Sequence, residues 1–395
     1  DAIREDGRTA RVKTRATKGA AMALKCRAAL YAGTLAYNYD KSATKTLNLS
    51  SGATGIERSK AEGYLKACLD ACAELEAMGY QLYQKQADLA TNYAEAFIAK
   101  PEDNPELIFC KAYDGVNVKN NFTTRALTRK LVRASNNKAG CQVNPVLNLV
   151  NDYEMLNTHE VKEMDAYVGD EVIEDMNVYT STCKYNLYDK PEDIFAGRDP
   201  RLAGTVLYPG SSFRGTSVDL QAGLALPTAD GYEFKAAQTI GQVDDFTYEG
   251  QKVTGEDGPL RGDDGSSNWY ISHSGFLLRK FVDTAAGSEI NGASSVPYVV
   301  FRFGEALLNA AEAAFYLNEL GVASYRPTKT VALDYINRVR QRAGGEVFKL
   351  TENELTFDRI VNERRVELAF EDHRYEDLKR WRVADEWWFN DQANQ

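Results

Sequence analysis

The sequence predicts a mainly α-helical protein in which tetratricopeptide-like helical pairs at both ends of the chain scaffold a large irregular, loop-rich subdomain. Three observations carry this. Small and apolar residues recur at helical spacing over residues 1–110 and again over 298–395. Over 111–297, Gly, Asn, Asp and Ser become frequent and the helical period fades. The segment from Ile360 to Trp381, IVNERRVELAFEDHRYEDLKRW, puts charges among apolar positions, which an ordinary surface helix does not do.

Taken in order, Thr17 caps a helix running to about Tyr39, with Ala20, Ala21, Leu24, Ala28 and Leu35 as its small and apolar positions. Residues 41–56 are rich in Ser, Thr, Asn and Gly and read as a loop. A second helix spans Ser59 to Met78, carries Tyr64, Leu65, Cys68, Leu69, Cys72 and Leu75, and stops at Gly79. Leu107 to Phe109 form a short buried strand or a helix start. Residues 145–156 make at least one helical turn, with Pro145 at a permitted first position. After Pro297, helices are predicted over Val299–Leu320, ending at Gly321, and Thr328–Ala343, ending at Gly344-Gly345. Thr351 and Glu354 form a capping box that opens the last helix. Small residues at the helix contacts suit tetratricopeptide-like pairs, although no clean 34-residue period is present.

Composition bounds the function. At 395 residues and 44% hydrophobic, the chain can bury a sizeable core. A net charge of −10 argues against nucleic acid and against an anionic membrane surface. No run approaches the roughly 18 apolar residues of a transmembrane helix. The six cysteines include no CxxC pair and no Cys/His cluster at zinc-ligand spacing. Cys26, Cys68 and Cys72 read as small core residues. The chain opens on DAIREDGRTARVKTRA rather than Met, and is expected to be a piece of a longer protein.

The last segment has a physical logic of its own. At about 100° per residue, Phe357, Ile360, Val361, Leu368 and Tyr375 share one arc with Arg364, Glu367 and Glu371. Glu363, Glu367 and Glu371 form a like-charge row that weakens an isolated helix. Such a helix is consistent with burial only if its carboxylates meet arginines. Arg364, Glu367 and Glu371 are therefore predicted to form a buried ion network that fixes how helices dock.

No catalytic constellation is present. His159, His273 and His373 have no partners at metal spacing, and GxSxG, HExxH and P-loop motifs are absent. The pairs Asp244-Asp245 and Asp263-Asp264 sit in Gly-rich surroundings where Asp serves turns. Asp257, Asp263 and Asp264 lack EF-hand spacing, and no cofactor is predicted. The aromatic-rich loops make a better case. Sugar rings present C–H faces on which indole and phenol rings stack, while Asn and Arg read hydroxyls. Trp269 and Tyr270, with Asn268 and Arg261, fit that description. Tyr248 and Phe246 come next, then Arg214 and Cys141, the latter beside Gln142 and Asn144. Most of the remaining tyrosines read as packing, and Trp381, Trp387 and Trp388 as packing or as contact with a C-terminal tail outside this chain.

The C-terminal segment resembles the signature of SusD/RagB lipoproteins, an ERR-x-EL-x-FE-x-x-R stretch ending in D-L-x-R-W, matched by Glu363 to Glu371, Arg374, Asp377, Leu378, Arg380 and Trp381. Further markers follow in family order: Ala16 to Ala21, Val143 to Met155 (VNPVLNLVNDYEM), Asp199 to Leu202 (DPRL), Ser274 to Asp283 (SGFLLRKFVD), Arg302 to Ala314, and Ile336 to Gly344. The resemblance implies that about the first third of a typical member and a C-terminal tail are missing. It implies a non-enzymatic surface lipoprotein of the bacterial outer membrane, held by an N-terminal lipid anchor outside this chain, that binds an oligosaccharide or polysaccharide and hands it to a SusC-like TonB-dependent transporter. The 111–297 insertion would face the ligand. Peptide binding, as in RagB-type members, and a tetratricopeptide-like interaction scaffold are the alternatives.

Overall fold

The computed structural model describes residues 12–39, 55–128, 131, 140–166, 186–221, 223–236, 247–252, 255, 272–290, 292–322, 325 and 328–384. Backbone contacts divide the chain into two units, residues 1–111 with 297–395, and residues 112–296. The description is mainly helical, and strands occur only as two-stranded ladders.

The first unit begins with α1 (Lys18–Tyr37), whose N-cap Thr17 accepts a hydrogen bond from the Ala20 amide at 3.1 Å. Its buried face is Gly19, Ala20, Ala23, Cys26, Leu30, Gly33 and Thr34. Leu24, expected on that face, is instead 56% exposed. The small residues decide the packing: a Cβ on Gly33 would lie 2.8 Å from Leu65 of the facing helix. That helix, α2 (Ala61–Ala77), is preceded by a single 3₁₀ turn at Arg58–Lys60. Gly79 (φ +86°) ends it with a Schellman pattern, Gly79 N–H to Glu76 O at 2.8 Å and Tyr80 N–H to Leu75 O at 3.4 Å. Next come α3 (Leu89–Glu95), capped by Asp88, and β1 (Leu107–Lys111).

The chain then passes through the second unit, where elements are short. Helices α4 (Phe122–Ala126), α5 (Leu147–Asn151) and α6 (Arg201–Thr205) are about one turn each. Pro145 lies ahead of α5, outside its first turn. Strands β2 (Val206–Leu207), β3 (Ser212–Phe213), β4 (Thr216–Ser217), β5 (Gly223–Thr228), β6 (Gly231–Ala236), β7 (Thr247–Tyr248), β8 (Gln251–Lys252) and β9 (Leu277–Leu278) pair antiparallel as β2–β9, β3–β4, β5–β6 and β7–β8. A separate small core holds Leu127, Leu131, Cys141, Leu207, Phe213, Val218, Leu277 and Val282.

Back in the first unit, β10 (Tyr298–Arg302) pairs antiparallel with β1, setting Leu107 opposite Arg302 and Lys111 opposite Tyr298. Residues 299–302, expected as helix, are thus strand. Their partner lies nearly 200 positions upstream, so local periodicity could not reveal it. Helix α7 (Phe303–Glu319) is buried on nearly every side as far as Leu317. It packs with α1, α2 and α8 (Thr328–Gly344) around Leu30, Leu65, Leu69, Leu307, Leu308, Ile336 and Val339. Each such side chain contributes about 1.5–3 kcal/mol on burial, so apolar packing drives assembly of the helices.

The last segment departs from expectation twice. Thr351 and Glu354 do hydrogen-bond, from the Thr351 amide and hydroxyl to Glu354 Oε2, both at 2.7 Å. They close a turn, however, and α9 (Phe357–Glu367) starts later with Thr356 as its cap. The predicted continuous helix to Trp381 is broken at residues 368–373. Phe370 and Asp372 both take φ +62°, and α10 (Arg374–Arg380) starts afresh. Glu371 is therefore not one turn beyond Glu367 on a single helix.

Candidate functional site

Helix α7 carries Glu305, Asn309 and Glu312 at i, i+4 and i+7, one face of a helix that is otherwise apolar. A fully buried helix can hold such a stripe only if every member is paired. Glu312 accepts from Arg380 Nη1 and Nη2 at 2.5 and 2.7 Å and from Trp381 Nε1 at 2.7 Å. Arg364 donates to Asp377 from Nε at 2.9 Å and Nη2 at 3.0 Å, and to Asn309 Oδ1 at 2.7 Å. Glu305 accepts from Arg27 Nε at 2.6 Å, and His373 Nε2 lies 3.8 Å away.

Glu367 and Glu371 belong to a second cluster, apart from Arg364. Arg302 donates to Glu106 Oε1 at 2.7 Å, Glu367 Oε1 at 2.6 Å and both Glu371 oxygens at 2.7 and 2.8 Å. Arg342 reaches Glu367 and, at 3.3 Å, Glu106. A third pair joins Arg340 Nη1 to Glu363 Oε2 at 2.8 Å, with the guanidinium 3.9 Å from the Phe348 ring centroid. Neighbouring residues on α9 thus tie it to different elements: Glu363 to α8, Arg364 to α7 and α10, Glu367 to β10 and α8. The charges ionise accordingly. Burial would raise the Asp377 carboxyl, but Arg364 and Arg380 hold it down at about 2. Burial likewise opposes ionisation of Glu305, and His373 and Arg27 overcome it. Asp377 and Glu305 are thus held as paired carboxylates. Their work is registration, because an unpaired charge in any other docking costs several kcal/mol, about 3–5 when one partner is lost.

In the second unit, side-chain-to-backbone latches replace long ladders. Asp199 accepts from the Arg201 amide at 2.9 Å and from Arg201 Nη2 at 2.6 Å, which explains the DPRL marker. Arg198 Nη1 donates to Tyr153 O at 3.1 Å, joining that marker to the VNPVLNLVNDYEM stretch. Asp283 accepts from Ser294 Oγ at 2.8 Å and donates its amide to Thr123 Oγ1 at 3.0 Å.

The candidate ligand residues fall as follows. Phe246, Arg261, Asn268, Trp269 and Tyr270 lie outside the described residues, as do Asp244, Asp245, Asp257, Asp263 and Asp264. The Tyr248 backbone pairs with Gln251 in the β7–β8 hairpin, around Glu249 (φ +50°) and Gly250 (φ +81°). Arg214 turns the β3–β4 hairpin with φ +51°. Its Nη1 donates to Glu289 Oε2 at 2.7 Å, and its Nη2 to Asp283 O at 2.6 Å and Ser288 Oγ at 2.7 Å. Cys141 is buried, its amide donating to Leu127 O at 2.9 Å. The Asn144 amide group donates back to Cys141 O at 2.9 Å, while Asn144 Oδ1 accepts from the His273 amide at 3.3 Å. The structure brings Arg214 and Cys141 into the same small unit but not into contact with each other among the hydrogen bonds described. Cys26 and Cys68 lie with sulfurs 3.5 Å apart as free thiols in the helical core. Sequence reasoning missed Glu106, Arg302, Glu312 and Arg342. The signal was there as charged residues inside apolar helical runs, above all Glu305 and Glu312 in FGEALLNAAEAAF. Among the described residues no group of His, Cys, Asp or Glu is arranged to hold a metal ion.

Paired helices locked by buried arginine–carboxylate clusters, joined in sequence to a unit of short ladders and loops, define a tetratricopeptide-like scaffold protein with a loop-rich subdomain. Residues 105–395 match the SusD family, and the chain belongs to that family. A SusD-like protein, P2, from Formosa agariphila is 40% identical over 101 residues, 24% of this chain and 18% of that protein. A crystal structure of a SusD-like protein from Bacteroides fragilis superposes with TM-score 0.59 at 23% identity, covering 97% of this chain and 57% of that one. A SusD-like carbohydrate-binding protein from the same organism gives 0.51 at 23% identity, covering 86% and 55%. These likenesses show the fold, and this chain spans 57% and 55% of the two solved proteins' lengths.

Proposed function

We propose that this chain is the larger part of a non-enzymatic, lipid-anchored glycan-binding protein of the outer-membrane surface. It captures oligosaccharide or polysaccharide and passes it to a SusC-like TonB-dependent transporter. Membership of the SusD family over residues 105–395 carries the reading. The carbohydrate-binding description of a solved protein with the same fold supports it. The lipid anchor comes with the family reading; no described helix is long and apolar enough to cross a membrane.

The binding surface in this proposal is the aromatic loop around Trp269 and Tyr270. Asn268 and Arg261 read hydroxyls there, and Tyr248 and Phe246 extend the platform. Arg214 and Cys141 are the further candidates, in the same unit of the chain. The test is calorimetry with a panel of polysaccharides, on the intact chain and on Trp269→Ala. The expected result is binding to at least one glycan, weakened about fivefold to a hundredfold by the substitution, as loss of one stacked ring of about 1–3 kcal/mol predicts. Unchanged affinity removes Trp269 from the site. Binding to peptides but to no glycan replaces this reading with the peptide-binding one. Release of reducing ends during the titration contradicts the non-enzymatic assignment.

A further inference from the structure

The buried faces of α1 and α2 carry small residues, Ala29 and Gly33 on one and Ala61 and Ala71 on the other. Between them sulfur meets sulfur. Cys26 Sγ of α1 lies 3.5 Å from Cys68 Sγ of α2, and both residues are fully buried. We propose that Cys26 and Cys68 form a disulfide when the chain folds in an oxidising compartment, and so staple α1 to α2.

Geometry favours this bond. A Cβ on Gly33 would stand 2.8 Å from a Leu65 side-chain atom, so the two helices approach closely there. The contacts Gly33–Leu65 and Cys26–Cys68 run in opposite senses along the two helices, as in an antiparallel pair. A disulfide is about 2.05 Å long and asks for Cα atoms within about 7 Å of each other. Closing the pair moves the sulfurs about 1.5 Å nearer, a shift shared by two short side chains. Cys72 follows Cys68 by about one turn, but its thiol shares a hydrogen bond with Tyr335 of α8.

Oxidation also leaves the surroundings satisfied. Cys68 Sγ donates to Asn309 O at 3.5 Å and Cys26 Sγ to Ala306 O at 3.9 Å. Thiols are weak donors, and both carbonyls lie inside α7, where backbone amides bond them. Losing the thiol protons therefore orphans no acceptor. The new bond joins residues 42 positions apart. Closing a loop of that length restricts the unfolded chain and so favours the folded one.

The disulfide rests on the surface location proposed above, because export carries a chain through oxidising surroundings, whereas a reducing cytosol keeps thiols. The reaction is exchange with a small disulfide or with an oxidoreductase carrying one. One cysteine thiolate attacks a sulfur of the oxidant, forms a mixed disulfide and releases one oxidant thiol. The second cysteine thiolate attacks the first cysteine's sulfur and releases the other. The two cysteines give up two electrons and two protons, and the oxidant takes them up as two thiols. Burial pushes the Cys68 thiol up and shuts out reagents, so exchange precedes the docking of α7 over the pair.

To test this, the 395-residue chain is unfolded, reduced, and refolded either with oxidised and reduced glutathione or with reductant alone. Remaining thiols are blocked with N-ethylmaleimide, and non-reduced peptides are mapped by mass spectrometry. The same map is made of the protein blocked inside its source cells. The expected result after oxidative refolding is a linked Cys26–Cys68 peptide, with maleimide on the other four of the six cysteines. The linked chain melts about 5 °C above the reduced one. Cys26→Ala abolishes that difference, and Cys72→Ala keeps it. The peptide map of the parent chain decides even where a variant fails to fold. A refolded chain with every cysteine blocked, linkage of Cys26 or Cys68 to another cysteine, or equal melting of linked and reduced chains overturns the proposal. Linkage on refolding with thiols in the cells upholds the pair and contradicts the surface location.

Discussion

The helical unit and the loop-rich unit both bury polar side chains, yet they use them differently. In the helical unit, arginines and carboxylates join elements far apart in the chain: Arg302 to Glu106, Arg342 to Glu106, Arg380 to Glu312. In the loop-rich unit, buried polar side chains bind backbone groups as well, both in nearby turns (Asn144 to Cys141 O, Asp283 to the Ala285 amide) and across the unit (Arg198 to Tyr153 O, Arg214 to Asp283 O), with Arg214–Glu289 as a long-range ion pair beside them. The difference follows from element length. Long helices satisfy their own backbone and need only be told how to dock, which a buried ion pair does by penalising every other register. Strands of two residues satisfy little backbone, so side chains must finish the accounting. The family markers thus have two structural meanings: charge-to-charge register in the helical unit, and closure of loop backbone by side chains, over short and long separations, in the other.

The largest test of this contrast is Glu312→Gln. It leaves Arg380 and Arg364 buried around a neutral group, and is expected to cost about 3–5 kcal/mol, read by urea denaturation of the intact chain. A loss under about 1 kcal/mol would place Glu312 with ordinary surface pairs.

A pH effect comes next. His373 has a folded pKa below its ordinary 6.5 because it is buried. The unfolded chain therefore binds the proton more readily, and stability is complete above about 6.5 and falls as pH drops below it. His373→Gln should flatten the melting-temperature profile between about pH 7 and about pH 5.5. A second loss, present in both proteins, should follow below about pH 4 as Asp377, held at about 2 in the folded chain, is protonated. Equal slopes for the two proteins above about pH 5 would remove His373 from the account. The smallest effect is Thr356→Ala, which deletes the α9 cap that accepts from Arg359 N–H at 3.3 Å, for about 1 kcal/mol.

Helix ends were legible wherever the determinant was local. Thr17, Gly79 and Gly321 stop or start helices where capping chemistry places them. Three features were not. Residues 299–302 become strand because β1 pairs with them, and the Thr351–Glu354 box serves a turn because the helix has a better cap at Thr356. The helix expected through Glu371 breaks because Phe370 and Asp372 turn left-handed. The misplaced charges of the last segment announced a buried network correctly in kind. They could not announce that Arg364 and Glu367 belong to different clusters, since the partners Asn309, Glu312, Arg302 and Arg342 come from other elements. The candidate ligand residues were legible only as composition, aromatic rings in turn-rich sequence, and most lie outside the described residues.

In the proposed function the glycan polymer is read by the aromatic loop, while the arginine–carboxylate clusters hold the scaffold. One paired measurement tests it most directly: glycan affinity and unfolding midpoint for the parent chain, Trp269→Ala and Glu312→Gln, each titrated well below its own midpoint. The account predicts that Trp269→Ala loses affinity while keeping its midpoint, and that Glu312→Gln loses its midpoint while keeping affinity. The reverse pattern, affinity lost in folded Glu312→Gln and retained in Trp269→Ala, would contradict it.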